Sequence, residues 1–84
     1  MELMVLKRDG TKEEFNMDKI RNALINAGAT NEEADHVIPD VAAWSETNAE
    51  NNVIASEAIR LEVIKQLKDV NPTAAVIFEG FKKA

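Results

Sequence analysis

The run VLKRDGTKEEFNMDKI, residues 5–20, decides how this chain folds, because it packs two extended segments, a turn and a helix start into one short stretch. Asp9-Gly10 between two partly apolar runs is a strong hairpin signal, since glycine reaches positive φ without steric cost. A two-residue loop would set Lys7 directly against Lys12, and like charges opposite each other on a ladder are destabilising. A three-residue loop, Arg8-Asp9-Gly10, removes that clash, with Gly10 as the left-handed bulge residue. Side chains alternate along a strand, so Leu3, Val5 and Lys7 then share a face with Thr11, Glu13 and Phe15. That face brings together apolar surface, an ammonium and a carboxylate. Asn16 follows as a helix N-cap, so the next backbone N–H groups point the same way.

Such a face suits a nucleotide, with apolar floor for a base, an acceptor for an exocyclic amine and cations for phosphates. The plainer reading is a solvated hairpin that lids a helical core. Asp18, in the first turn of the helix after Asn16, competes with an anion there, which places phosphates nearer Lys7 and Arg8.

Working outward, Met17, Ile20, Leu24 and Ile25 mark one face of the first helix, which Gly28 stops. Thr30 and Glu33 form a capping-box pattern that opens a second helix, with Ala34, Val37, Val41 and Trp44 as its buried stripe. Pro39 predicts a kink near Asp35 to Ile38, or two short helices. Ser45 to Asn52, SETNAENN, reads as a polar, mobile loop. Val53-Ile54 adds a third strand, which a lone two-stranded ribbon needs for stability. Ser56 caps a third helix carrying Ile59, Val63, Ile64 and Leu67. Asn71-Pro72 restarts the chain as a fourth helix, whose inward face is Ala74, Ile77, Phe78 and Phe81. The expected architecture is α+β: a small bundle of about four helices capped by a β-hairpin and a short third strand, in a single domain over residues 1–84.

Eighty-four residues allow one core and no more, since a domain of this size buries only roughly 60 to 65% of its unfolded surface. Hydrophobic content of 45% with 30% charged residues argues against disorder along the whole chain. No apolar run is long enough to cross a bilayer and Met1 to Leu6 is too short for a signal peptide, so cytoplasmic residence without a membrane partner is expected. Without cysteine there is no disulfide framework and no thiol nucleophile, and the single His36 has no second histidine to build a metal site. Net charge is −5, and no lysine or arginine lies between Asn22 and Ile59. That distribution disfavours nucleic acid as a partner, because backbone phosphates need a broad basic surface, whereas a small anion needs a local one.

Val5-Leu6-Lys7-Arg8-Asp9-Gly10, then Glu13, Phe15 and Asp18-Lys19-Ile20, resemble the N-terminal signature of the ATP-cone family. The likeness continues through Gly28, Ile54-Ala55-Ser56, Ile59, Val63, Asn71-Pro72, Ala75, Phe78 and Phe81, and so spans nearly all of the chain. The family's members are helical bundles capped by a small sheet that bind ATP or dATP as allosteric effectors. They occur at the N-terminus of ribonucleotide reductase large subunits, where occupancy changes oligomeric state, behind a zinc ribbon in a repressor of reductase genes, and in some archaeal kinases.

The resemblance implies that Lys7 and Arg8 hold phosphates, that Val5 lines the pocket, and that Glu13 and Asn16 meet the adenine edge. It further implies that Phe15 and Ile20 pack near the base, that Lys19 adds charge, and that Ser56 and Arg60 approach the sugar and phosphates. Lys83 is the implied basic residue after Phe81. The effector would be ATP or dATP, with or without Mg²⁺. The partner would be a catalytic domain or subunit of reductase type, or a second copy, and the chain is either a piece of a larger protein or a free-standing module. Family members often carry tyrosine where this chain has Phe78. The resemblance assigns no catalytic residue, and phosphoryl transfer would call for Mg²⁺ ligands and a positioned base that Glu13 and Asp9 do not supply. The competing expectation is a degenerate member that keeps the fold without binding nucleotide and serves as a protein-interaction or oligomerisation module, presenting its acidic second helix and the loop after it to a basic partner.

Overall fold

The computed structural model describes residues 3–81. Its elements run β1 (Met4–Leu6), β2 (Lys12–Glu14), α1 (Met17–Asn26), α2 (Asn31–Asn48), β3 (Val53–Ala55), α3 (Ser56–Val70) and α4 (Pro72–Glu79). No described helix is long and apolar enough to cross a membrane.

The hairpin has the three-residue loop. Val5 pairs with Glu13 and Leu6 with Lys12, the Lys7 amide donates to the Thr11 carbonyl at 2.8 Å, and the Gly10 amide donates to the Lys7 carbonyl at 3.0 Å. Gly10 has φ 91°, in the left-handed region that the bulge requires. Asp9 braces the turn by accepting from the Thr11 hydroxyl at 2.7 Å and the Thr11 amide at 3.0 Å. Those bonds, the hydroxyl's first, hold its carboxyl below its ordinary value. β3 pairs in parallel with β1, Leu6 opposite Ala55, so β1 is central in the order β2-β1-β3. A parallel neighbour needs a long crossover, and α1 with α2 provides it.

All four helices meet in one core. Leu24 of α1, Val37 and Val41 of α2, and Val63 and Leu67 of α3 are almost wholly buried, with Ala74 and Ala75 of α4 closing the far side. Thr30 and Glu33 make the full capping box at the start of α2. Asn71 caps α4 by accepting from the Ala74 amide at 3.0 Å, while its own amide donates to Glu33 at 3.0 Å. One glutamate thus ties together the beginnings of two helices. The bond from Asn71, then the Thr30 amide, holds the Glu33 carboxyl below its ordinary value.

Several expectations are corrected. α2 extends to Asn48 instead of ending in a long loop at Ser45. Ser45 continues the buried arc of the helix, and the Thr47 hydroxyl and Asn48 amide donate to carbonyls four residues back, those of Ala43 and Trp44. The connection is then a tight reversal: Asn51 and Asn52 both take positive φ, and Glu50 and Val53 exchange two backbone bonds of 2.9 Å, as in a type I′ turn.

Pro39 does not split α2 into two helices. It removes a donor to the Asp35 carbonyl, and both residues lie on the exposed side, where water can serve that carbonyl. Ser56 is the first residue of α3, not its cap; the cap position is Ala55, with no side-chain bond, because β3 runs into the helix without a linker. Met17 and Ile25 are exposed. Ile20, Ala23 and Leu24 form the inward arc of α1 instead, continued by the buried Ala27 at its C-cap. Ile77 and Phe81 are likewise exposed, because α4 turns Ala74 and Ala75 inward and ends before Phe81.

Candidate functional site

Where the hairpin loop overhangs the bundle, a cavity of about 530 Å³ opens. Its floor is apolar, built from Ile20 and Ala23 of α1, Ile59 and Val63 of α3, and Phe78. Its rim carries Lys7 and Arg8 from the hairpin, Lys19 from α1 and Arg60 from α3, with Ser56 at the start of α3. Phe81 flanks the opening, its ring centroid 6.1 Å from that of Phe78 in a tilted arrangement. A smaller hollow of about 140 Å³ adjoins it, lined by Val5, Glu13, Phe15 and Asn16, and shares Lys19, Ile20, Ser56 and Ile59 with the larger one.

The predicted residues therefore gather, in two groups. Lys7, Arg8, Lys19, Ile20, Ser56 and Arg60 line the larger cavity, and Val5, Glu13, Phe15 and Asn16 the smaller. Lys83 lies outside the described residues.

Each cation is already matched by a carboxylate. Glu13 lies between two lysines, its Oε1 2.8 Å from Lys19 Nζ and its Oε2 3.5 Å from Lys7 Nζ. The Lys19 hydrogen bond, then the charges of Lys19 and Lys7, hold the Glu13 carboxyl below its ordinary value, so it is an acceptor at neutral pH. At the opposite rim Glu57 accepts from Arg8 Nη2 at 3.1 Å and lies 3.6 Å from Arg60 Nη1. Arg60 Nη2 also donates to the Glu79 carbonyl at 2.8 Å, fastening the end of α4 beside the cavity.

The two helix starts at the site differ. At α1 the Asn16 Oδ1 accepts from the Asp18 and Lys19 amides at 2.9 and 3.3 Å. That carbonyl is occupied as a cap, which leaves the Asn16 amide group as its donor toward a ligand. At α3 no side chain caps the first turn, and the positive end of that helix's dipole favours an anion there.

The ATP cone domain model matches residues 3–77. The chain belongs to the ATP-cone family. Among curated proteins it is similar to the transcriptional repressor NrdR of Lacticaseibacillus casei, 36% identical over 80 residues covering 90% of this chain and 51% of that protein. It is also similar to the NrdR repressors of Thermus thermophilus, 36% identical over 76 residues (90% and 50% covered), and Limosilactobacillus fermentum, 34% over 84 (90% and 52%). This ATP-cone thus spans about half the length of the curated relatives it matches. Those relatives are named as transcriptional repressors, not as reductases.

Sequence reasoning on this ATP-cone passed over Ala23 and Glu57 as site residues, and kept Ile59, Val63 and Phe78 for the core alone. Ile59 and Val63 serve both purposes. Glu57 offered only an acidic residue in a helix's first turn, where the dipole accounts for it.

Proposed function

We propose that this ATP-cone is a regulatory domain that binds ATP or dATP as an effector and carries out no chemistry on it. The observation that carries the reading is the convergence of four cations, from the hairpin, α1 and α3, on an apolar cavity next to a second hollow bearing acceptors. In this reading the base enters the smaller hollow against Val5, Phe15 and Ile20. Glu13 accepts from its exocyclic amine, and Asn16 donates to a ring nitrogen. Lys7, Arg8 and Arg60 take the phosphates, Lys19 adds charge, and Ser56 with the uncapped start of α3 lies between base and phosphates. Charge-assisted bonds of this kind are roughly twice as strong as neutral ones.

The relatives' names suggest that the regulated process is transcription, of genes whose products belong to the reductase system implied by the family resemblance. With net charge −5, the matched span itself is a poor surface for nucleic acid. We place any contact a repressor of this kind makes with nucleic acid outside that span, and give this span the sensing task. Titration calorimetry of the chain with ATP and dATP, with sizing before and after, tests the proposal. Saturable binding in the micromolar range is expected, and absence of heat up to millimolar nucleotide would overturn it.

A further inference from the structure

The position of Glu57 is not accounted for by nucleotide contacts. It projects from the first turn of α3 into the rim of the cavity, and its two carboxylate oxygens face two arginines from different elements, Arg8 of the hairpin loop at 3.1 Å and Arg60 of its own helix at 3.6 Å. That is the way a phosphate would be held between the same guanidinium groups. We propose that Glu57 is a tethered competitor: its carboxylate stands between the two guanidinium groups where phosphates would bind, and a nucleotide enters by displacing it. The inference rests on the nucleotide reading above and concerns how that site is set.

Three further features support the assignment. The start of α3 has no side-chain cap, so the Glu57 carboxylate already sits in the positive field that would favour phosphate. Its side chain is 44% exposed, and among the described residues its side-chain hydrogen bonds and ion pairs go only to those two arginines, so it can swing into water. Partly exposed pairs of this kind are weak, which makes displacement by a multiply charged ligand feasible. Glu13, the other carboxylate among the cations, has a task as acceptor for the base, whereas Glu57 has no contact that a bound nucleotide would preserve.

The consequence is that Glu57 lowers affinity. A purely structural Glu57, serving as a dipole complement and an i, i+3 partner of Arg60, would leave affinity alone. The experiment is calorimetry on the wild-type chain and Glu57→Gln at one ionic strength, with ATP, inorganic tripolyphosphate and adenosine as probes and thermal unfolding to verify the fold. Glu57→Gln is expected to bind ATP and tripolyphosphate roughly three- to tenfold more tightly and adenosine unchanged. In an Arg8→Ala background the gain should shrink, because one of the two groups competed for is gone. Equal or weaker binding of ATP and tripolyphosphate by Glu57→Gln, or an equal gain for adenosine, overturns the inference while leaving nucleotide binding intact. If neither protein binds ATP or tripolyphosphate, the nucleotide reading itself falls, and this inference with it.

Discussion

The ribbon of β1 and β2 and the helical body beneath it are held by different forces. In the body, Leu24, Val37, Val41, Val63 and Leu67 are at most 1% exposed and drawn from three helices. In the ribbon no described residue is buried, and what joins it to the body is a parallel strand, partly buried Val5 and Phe15, and ion pairs to Lys19 and Glu57. Stability therefore resides in the body, and in the proposed nucleotide reading the ribbon supplies Lys7, Arg8 and Glu13 to a site whose floor and remaining cations come from the helices. The ribbon's ion pairs are surface ones that a ligand would exchange without disturbing the core.

The strongest attempt to break this division is Leu67→Ala. Truncating a fully buried leucine costs about 2 to 5 kcal/mol, a large share of the stability of a small domain, and urea denaturation should show a lower midpoint. Next comes Lys7→Ala, which removes one charge-assisted contact of about 1.5 to 3 kcal/mol, or roughly tenfold to more than a hundredfold in ATP affinity. Its unfolding free energy should stay within about 0.5 kcal/mol of wild type. A variant that lost stability instead of affinity would erase the distinction between the two regions.

Asn71→Ala sharpens the comparison within the body. Losing the cap should cost about 0.5 to 2 kcal/mol at neutral pH. Glu33, whose carboxyl the Asn71 amide holds below the ordinary 4.5, adds a pH dependence. A depressed folded value contributes stability that is present above 4.5 and lost as pH falls through the folded value. The deficit of Asn71→Ala should therefore narrow on acidification below about pH 4.5, and a deficit that stayed constant from neutral to strongly acidic pH would remove Glu33 from the account.

What could be read in the sequence was local. Asp9-Gly10 with the Lys7 and Lys12 conflict determined the hairpin register, Thr30 with Glu33 announced the start of α2, and Asn71-Pro72 announced α4. Each is a rule acting over a few residues. Misreadings arose where distant packing decides. SETN of residues 45–48 has poor helical periodicity, yet Ser45 faces the core and the following side chains bond back to the helix. Helical spacing places Met17, Ile25, Ile77 and Phe81 inward, but all four are exposed, while Leu24 and Ala27 at the first helix and Ala74 and Ala75 in the fourth are the buried ones and Phe81 lies beyond the end of α4.

The gathering of Lys7 and Arg8 with Ser56 and Arg60 depends on the pairing of β1 with β3, two strands far apart in the chain, and no local pattern reveals it. The family likeness, carried by the whole ordered set of short signals, implied that gathering. It did not imply Glu57, whose significance is its position opposite two arginines.

The short ladder between β1 and β3 also works as a gauge. By pairing Leu6 with Ala55, it sets the offset along the strands between the two jaws, one ending in Lys7 and Arg8 and the other beginning with Ser56. Slippage by one position would shift one jaw by about 3.3 Å and rotate alternate side chains to the opposite side. The alignment of the two jaws is thus calibrated by a few backbone bonds in the smallest part of the molecule.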